Sequence, residues 1–501
     1  MMLAAVSHSI KIAHSRCKKQ YNKVWQMPWY NISICASSFF SWVVPVGDSG
    51  VFMYECVIKN GTVVTADSIY QADIAIQGEQ IAAIGENLSA QREIDAAGKL
   101  ITPGAVDIHV HLQMPIGNFR SADDFFTGTR AAAIGGTTSI VDFVERQPEE
   151  TMVEAIAARR ALADPRVTID YALHMTLGPR EIDKLGQVPE AYAAGCTSFK
   201  MYMAYSFNLN DGQMMQALEA VRDVGGFPVI HAENWDIITT LVRRNLANGR
   251  TTPHWHPRSR PAVMEAEAAG RVIDIATMVG IPVHIFHVSC DETVQRIAAA
   301  RRRGLPVTGE TCPQYLLLTQ DVYDAPGVAG TLPVCSPPIR ERAAQAALWQ
   351  ALTAGDLQVI TTDHCPFMRA EKASGLADYS QIPGGVPGIE MRFAAVYSEG
   401  VRSGRLSLNQ WVNLCCTTPA RLVGFTKKGH IGIGYDADLV IFDPGKQKKL
   451  STTTLHEQVD WTPYEGLTIR GWPGLTMSRG RVLVENDDFV GEPGWGRFIH
   501  R

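Results

Sequence analysis

Two histidines one residue apart, His109 and His111 in the stretch Gly104-Ala-Val-Asp-Ile-His-Val-His111, carry the plainest chemistry in this sequence. If Val106 to His111 is a strand, side chains alternate across it, so both imidazoles point the same way and can grip one metal ion. A catalytic divalent metal takes three or more N/O ligands and keeps a position open for water, so further ligands must come from distant parts of the chain. Which residues can supply them depends on what the rest of the chain folds into.

After His111 the pattern is of strands separated by helical stretches, the signature of a parallel α/β domain. The strand candidates are Val106 to His111, Thr137 to Phe143, Val167 to His174, Ser198 to Tyr202, Pro228 to His231, Pro282 to His287, Pro306 to Thr311 and Gln358 to Asp363. Between them lie Ala-rich amphipathic runs such as Thr151 to Ala163, Gln213 to Asp223, Met264 to Val279 and Asp291 to Arg303. Eight β/α units in about 260 residues is the size of a TIM-type (β/α)8 barrel, and residues 104–430 are assigned to it. In such a barrel the functional groups sit at the C-terminal ends of the strands. His109 and His111 end the first strand candidate, Lys200 lies on the fourth, His231 ends the fifth, His287 the sixth and Asp363 the eighth. His284 and His364 are out of phase with their neighbours and are expected to face away from the site. His254 and His256 copy the H-x-H spacing inside a Pro- and Arg-rich loop, where ordering the loop is the expected role.

Outside the barrel, short β-like runs at Cys56 to Lys59, Thr62 to Thr65, Asp73 to Gln77, Gln80 to Gly85 and Arg92 to Asp95 alternate with turn signals such as Asn60-Gly61. They predict a small antiparallel sheet over residues 53–103. Runs at Leu439 to Asp443, Leu467 to Arg470 and Arg481 to Glu485 within residues 431–490 are expected to rejoin it, giving a composite β-sandwich from both chain ends. Residues 491–501 read as a loose C-terminal tail.

The composition is 46% hydrophobic and 19% charged, with a net charge of -5, which gives no basic field for nucleic acid and points to a small-molecule partner. Ten cysteines without a C-x-x-C pair read as reduced thiols in a cytoplasmic protein. Residues 1–52 differ: no acidic residue precedes Asp48, and five Lys or Arg residues precede an apolar run from Ile32 to Val46. That run is too short for a transmembrane helix, so no stable membrane association is expected, and the segment reads as a poorly ordered extension or an over-long start.

Seven blocks taken together, Asp107-Ile-His-Val-His111, Ser198-Phe-Lys-Met-Tyr-Met-Ala-Tyr205, His231-Ala-Glu-Asn234, His287-Val-Ser289, Gly309-Glu-Thr-Cys-Pro-Gln-Tyr315, Ser336-Pro-Pro-Ile-Arg340 and Thr362-Asp-His-Cys-Pro-Phe367, resemble the dihydropyrimidinase/hydantoinase branch of the amidohydrolase superfamily. The resemblance runs from about Tyr54 to Val490. It implies a centre of two divalent ions per subunit, usually zinc, with His109, His111 and Asp363 on one ion and His231 and His287 on the other. Lys200 would bridge both as a carbamate made with CO2 (N6-carboxylysine), which turns a cation that cannot bind metal into an anion with two donor oxygens. It further implies hydrolysis of a cyclic amide by a hydroxide bridging the ions, with Asp363 as general base and acid and Tyr205 steadying the oxyanion. Main-chain groups at Ser336 and Gly384 would bind the substrate, and the assembly would be a homotetramer or homodimer.

Within that branch, Gln113 stands where dihydroorotase-like sequences carry a carboxylate-binding arginine, which disfavours dihydroorotate. The branch implies 5-substituted hydantoins or dihydropyrimidines as substrates; Gly384 stands where asparagine is usual, which counts against dihydrouracil and leaves 5-substituted hydantoins or allantoin-like rings open. Collapsin-response mediator proteins, scaffolds of the same fold that have lost metal ligands, are the alternative from another class. All six candidate ligands are present here.

Overall fold

Val, Ile and Phe fill the short runs that begin at Ala105, and strands covered on both faces are buried along their whole length. In the computed structural model, which describes residues 53–501, these runs form eight parallel strands: Ala105–Asp107, Thr137–Val144, Asp170–Thr176, Ser198–Tyr202, Phe227–His231, Val283–Ile285, Val307–Thr311 and Val359–Ile360. Each pairs with the next in chain order. The seam between the first and eighth is closed by a single bridge, Val110 to His364, and by Arg392. This fully buried guanidinium donates to Val106 O at 3.1 Å and Ile360 O at 2.7 Å. The fold is the expected TIM-type barrel. Three strands are shorter than the sequence suggests, because the chain leaves the ladder before His109, His287 and Asp363 and turns those side chains inward.

The surrounding helices start and stop where local chemistry says they should. Thr151 caps Met152–Ala163 in a reciprocal box with Glu154, Asn210 caps Asp211–Asp223, and Gly280 at φ 78° ends Ala262–Val279. Each capped helix holds its strand's C-terminal end at a fixed height, which is what lets side chains from different strands converge.

The second layer is the composite sandwich. Leu439–Lys449 pairs with Leu100–Pro103, joining the two ends of the described chain in one seven-stranded sheet. A four-stranded sheet packs on it through Ile58, Ile74, Ile76, Ile101, Leu439 and Ile441. The N-terminal part is not the purely antiparallel sheet expected. Tyr54–Lys59 pairs parallel with Ala90–Asp95, and Thr62–Val64 parallel with Leu100–Pro103. Asn60-Gly61 looks like a hairpin turn, but the chain there steps from one sheet to the other.

Residues 491–501 also depart from expectation. They do not hang loose: Tyr171 N donates to Arg497 O at 2.9 Å, Ile499 N to Tyr171 O at 2.7 Å, and Phe498 packs on Tyr171. Arg501 reaches Leu173 O at 2.6 Å and Ser198 Oγ at 3.0 Å at the foot of the barrel. The expectations for residues 1–52 lie outside the described residues. Among those described, no helix is long and apolar enough to cross a membrane.

Candidate active site

Beyond Asp107 the chain reaches His111, whose N–H donates to His364 O at 2.9 Å. His109 Nε2 lies 3.1 Å and His111 Nε2 3.2 Å from Asp363 Oδ1, and the donor atoms of all three residues fall within 4.8 Å of one another. Burial alone would push the Asp363 carboxyl up. The His109 and His111 rings bonded to it, with His287 nearby, outweigh that and hold it well below the usual carboxylate range. His111 is pushed down to about 4, by burial first. Burial would lower the His109 imidazole, but Asp363 and Glu310 outweigh it and raise that ring above its ordinary value. A carboxylate with two imidazoles is a donor set suited to a divalent ion, which would take the place of the His109 proton.

Across the barrel, Tyr202 pairs in register with His231 and Lys200 with Val229, which sets Lys200 and His231 on adjacent strands. The His231 and His287 rings are 4.5 Å apart between centroids, and His287 is 5.4 Å from His109. His287 Nδ1 is buried with no partner, an orphan that an added ligand-bound group would satisfy. The Lys200 amine sits over the rings of Phe286 at 4.1 Å and Tyr202 at 4.7 Å. Burial lowers its pKa to about 7, although Asp363 and Glu310 pull it back up. The structure thus gathers His109, His111 and Asp363 into one cluster and sets Lys200, His231 and His287 around it on the same barrel mouth.

Backbone strain is concentrated here. Of the nine non-glycine residues with positive φ among those described, Gln113 (50°), Tyr205 (71°), His287 (39°) and Asp363 (50°) belong to this region. Such conformations persist only where the surrounding structure enforces them. Tyr205 packs against His231 at 5.1 Å and Trp235 at 5.8 Å, and its hydroxyl is bonded to Ser336. Burial pushes that phenol far above neutrality, so it stays a donor. Tyr205, Trp235, Ser336 and the six candidate ligands line one cavity of about 560 Å³, together with Gly384. A Cβ on Gly384 would meet Ser336 Oγ at an ordinary 3.8 Å, so nothing in the space requires glycine there. Gly385 is different: its φ is 146° and a Cβ would lie 2.2 Å from Cys365 O.

This geometry has counterparts. Residues 100–483 match the Amidohydrolase family. The chain is 43% identical over 452 residues to the D-hydantoinase of Geobacillus stearothermophilus, an alignment covering 89% of this chain and 96% of that one. Among solved structures it matches a D-hydantoinase from a Bacillus species (TM-score 0.86, 44% identity, 89% of this chain and 99% of that one). A dihydropyrimidinase from Brevibacillus agri matches at TM-score 0.86 and 42% identity, with coverage of 89% and 98%. The chain belongs to the amidohydrolase family, in its hydantoinase/dihydropyrimidinase branch.

Around this amidohydrolase centre, several carboxylates to which the sequence reading gave no role hold the imidazoles in place. Glu310 accepts from His109 Nδ1 at 2.6 Å and bonds His284 Nε2 at 3.2 Å; the two rings offset the cost of its burial and hold it down to about 2. Glu233 bonds His231 Nε2 at 2.8 Å and is paired with Arg260. Partners of this kind fix the tautomer and orientation of a ligating histidine. His284 therefore does not face away as expected. Its strand ends at Ile285, and the ring points into the barrel beside Phe286. His364 bonds Asp123 at 3.0 Å and accepts from Gly388 N at 3.2 Å, while His254 and His256 tie their loop to Asp324 and Cys335 O. The one available signal for Glu233 is its place two residues after His231. Glu310 sits inside a quoted motif block with nothing local to tell its role.

Proposed function

We propose that the chain opens 5-monosubstituted hydantoins to N-carbamoyl amino acids, with dihydropyrimidines as a second ring class and allantoin-like rings as the alternative. The coarser statement, that it is a hydrolase of the carbon–nitrogen bond in cyclic amides, follows from the family membership. The observation that carries the finer reading is the convergence of six candidate ligands and Tyr205, Ser336 and Gly384 on one cavity, whose lining also includes the apolar Met114, Ile116, Phe207 and Trp235. A flat polar ring fits the polar groups, and a ring substituent fits the apolar ones.

In this reading His109, His111 and Asp363 would hold one divalent ion and His231 and His287 a second, with Lys200 as its carbamate a further ligand; zinc is the metal proposed. Such a pair would supply Lewis acidity at the carbonyl oxygen and a water ionised at neutral pH. Asp363, kept ionised by its histidine neighbours, accepts the proton of the attacking water and delivers it to the departing ring nitrogen. The Tyr205 hydroxyl donates to the carbonyl oxygen as charge develops there, and the strained backbone at Tyr205 fixes its aim before substrate arrives. Main-chain groups at Ser336 and Gly384 hold the ring amide. Glu310 and Glu233 keep the His109 and His231 rings from turning. A homotetramer in a reducing, cytoplasmic compartment completes the reading, consistent with the eight described cysteines all being free.

The test is ring opening by zinc-reconstituted protein of dihydrouracil, both enantiomers of a 5-substituted hydantoin, allantoin and dihydroorotate. Fastest opening of a hydantoin enantiomer is expected. Fastest opening of dihydroorotate, or of allantoin alone, contradicts the substrate reading.

A further inference from the structure

Glu145 follows the second barrel strand, two residues beyond Phe143. The Phe143 ring stacks on His111 at 4.4 Å and lies 5.4 Å from His109, so this face of the strand looks into the site. Alternation puts Glu145 on the same side, about 7 Å further toward the mouth, and it lines the cavity. Apart from Asp363 it is the only carboxylate among the lining residues, which also include the apolar Met114, Pro115, Ile116 and Phe207.

What sets Glu145 apart is that no side chain among the described residues bonds it. Asp142, on the opposite face of the strand, receives Leu112 N at 3.1 Å and Arg159 Nε at 3.1 Å. Glu310, Glu233 and Glu265 are each bonded by a histidine, arginine or serine. The Glu145 side chain is exposed to the cavity and makes no hydrogen bond or ion pair among the described residues. Arg243 lines the same cavity without pairing with it. Burial pushes the Glu145 carboxyl up to about 7, with Glu181 and Asp142 acting in the same direction and Arg159 against it. A carboxylate on a cavity wall without a partner is open to a charge-assisted hydrogen bond from any ligand that supplies the donor.

We propose that Glu145 is a specificity site for the ring substituent, accepting a hydrogen bond from a cationic group at the end of a flexible chain on the hydantoin, so that hydantoins of basic amino acids are the preferred class. This rests on the hydantoinase reading above. With the ring amide held at Ser336 and Gly384, Glu145 shares the cavity lining with them, and a four-carbon stem such as lysine's is the chain to try first. A carboxylate-bearing substituent meets repulsion at the same place.

The experiment compares kcat/KM for 5-(4-aminobutyl)hydantoin and the isosteric 5-pentylhydantoin in the zinc-loaded wild-type protein and in Glu145→Gln. It adds equilibrium binding of both compounds to Asp363→Asn protein, with and without Glu145→Gln, so that a slow variant is still read. The expected result is an aminobutyl-to-pentyl ratio about tenfold higher with Glu145 than with glutamine, in turnover and in Kd. Equal ratios in the two proteins, with pentylhydantoin opened, overturn the inference and leave the hydantoinase reading standing. If neither hydantoin is opened or bound, the hydantoinase reading falls and the inference with it.

Discussion

At the scale of single residues, the site depends on groups that never touch substrate. Glu310 is bonded to His109 and to His284 and accepts from His287 N at 3.3 Å, so one carboxylate steadies a ligand candidate on each side of the centre. Glu310→Gln keeps the shape but loses the charge. It is expected to lower zinc occupancy or kcat by roughly 10- to 100-fold, read by metal analysis and hydantoin turnover on the same sample. Tyr205→Phe should leave metal content unchanged and lower kcat by about 100-fold. Glu145 gives a pH signature of definite sign. Because burial raises its carboxyl to about 7, it is anionic above that pH and neutral below it. The aminobutyl-to-pentyl kcat/KM ratio should therefore rise as pH increases from 6 to 8.5, and titration of the centre, common to both substrates, cancels in the ratio.

At the scale of elements, the loops after the barrel strands do the positioning. The buried Lys372 amine donates to Val334 O and to Pro383 O, both at 2.7 Å, and so ties the segment before Ser336 to the segment before Gly384. Lys372→Met leaves Pro383 O without a donor, while Val334 O keeps Gly385 N at 3.0 Å. It should cost about 1–3 kcal/mol, visible in denaturant unfolding, and raise KM more than it lowers kcat. The neighbouring glycines should part company: Gly384→Ala is tolerated, whereas Gly385→Ala meets Cys365 O and an unfavourable φ. Much of this framework was legible in the sequence. Ser198–Tyr202 was read with its observed bounds, because an apolar run between turn signals defines a buried strand, and that placed Lys200. The pairing of Glu310 with His109 was not legible. Those residues are 201 positions apart, and only barrel closure brings them together.

At the scale of the whole molecule, both ends of the described chain are tied back onto the barrel and sandwich. The last residues looked loose because they carry no period and few apolar side chains. Their anchoring depends on partners fixed by tertiary structure, such as Asp170, which accepts from Arg497 N at 2.8 Å and pairs with Lys428 and Arg479. Deleting residues 498–501 should lower the melting temperature by roughly 3 °C or more while leaving a folded, metal-binding barrel. The central claim is that a divalent pair held partly by a carbamate on Lys200 opens the cyclic amide. The most direct measurement is the initial rate of 5-substituted hydantoin opening by chelator-stripped protein given zinc, CO2, both or neither. The account predicts full rate only with both, and no recovery for Lys200→Ala under the same conditions. Full activity without metal, or with metal in CO2-free buffer after equally thorough stripping, would contradict it.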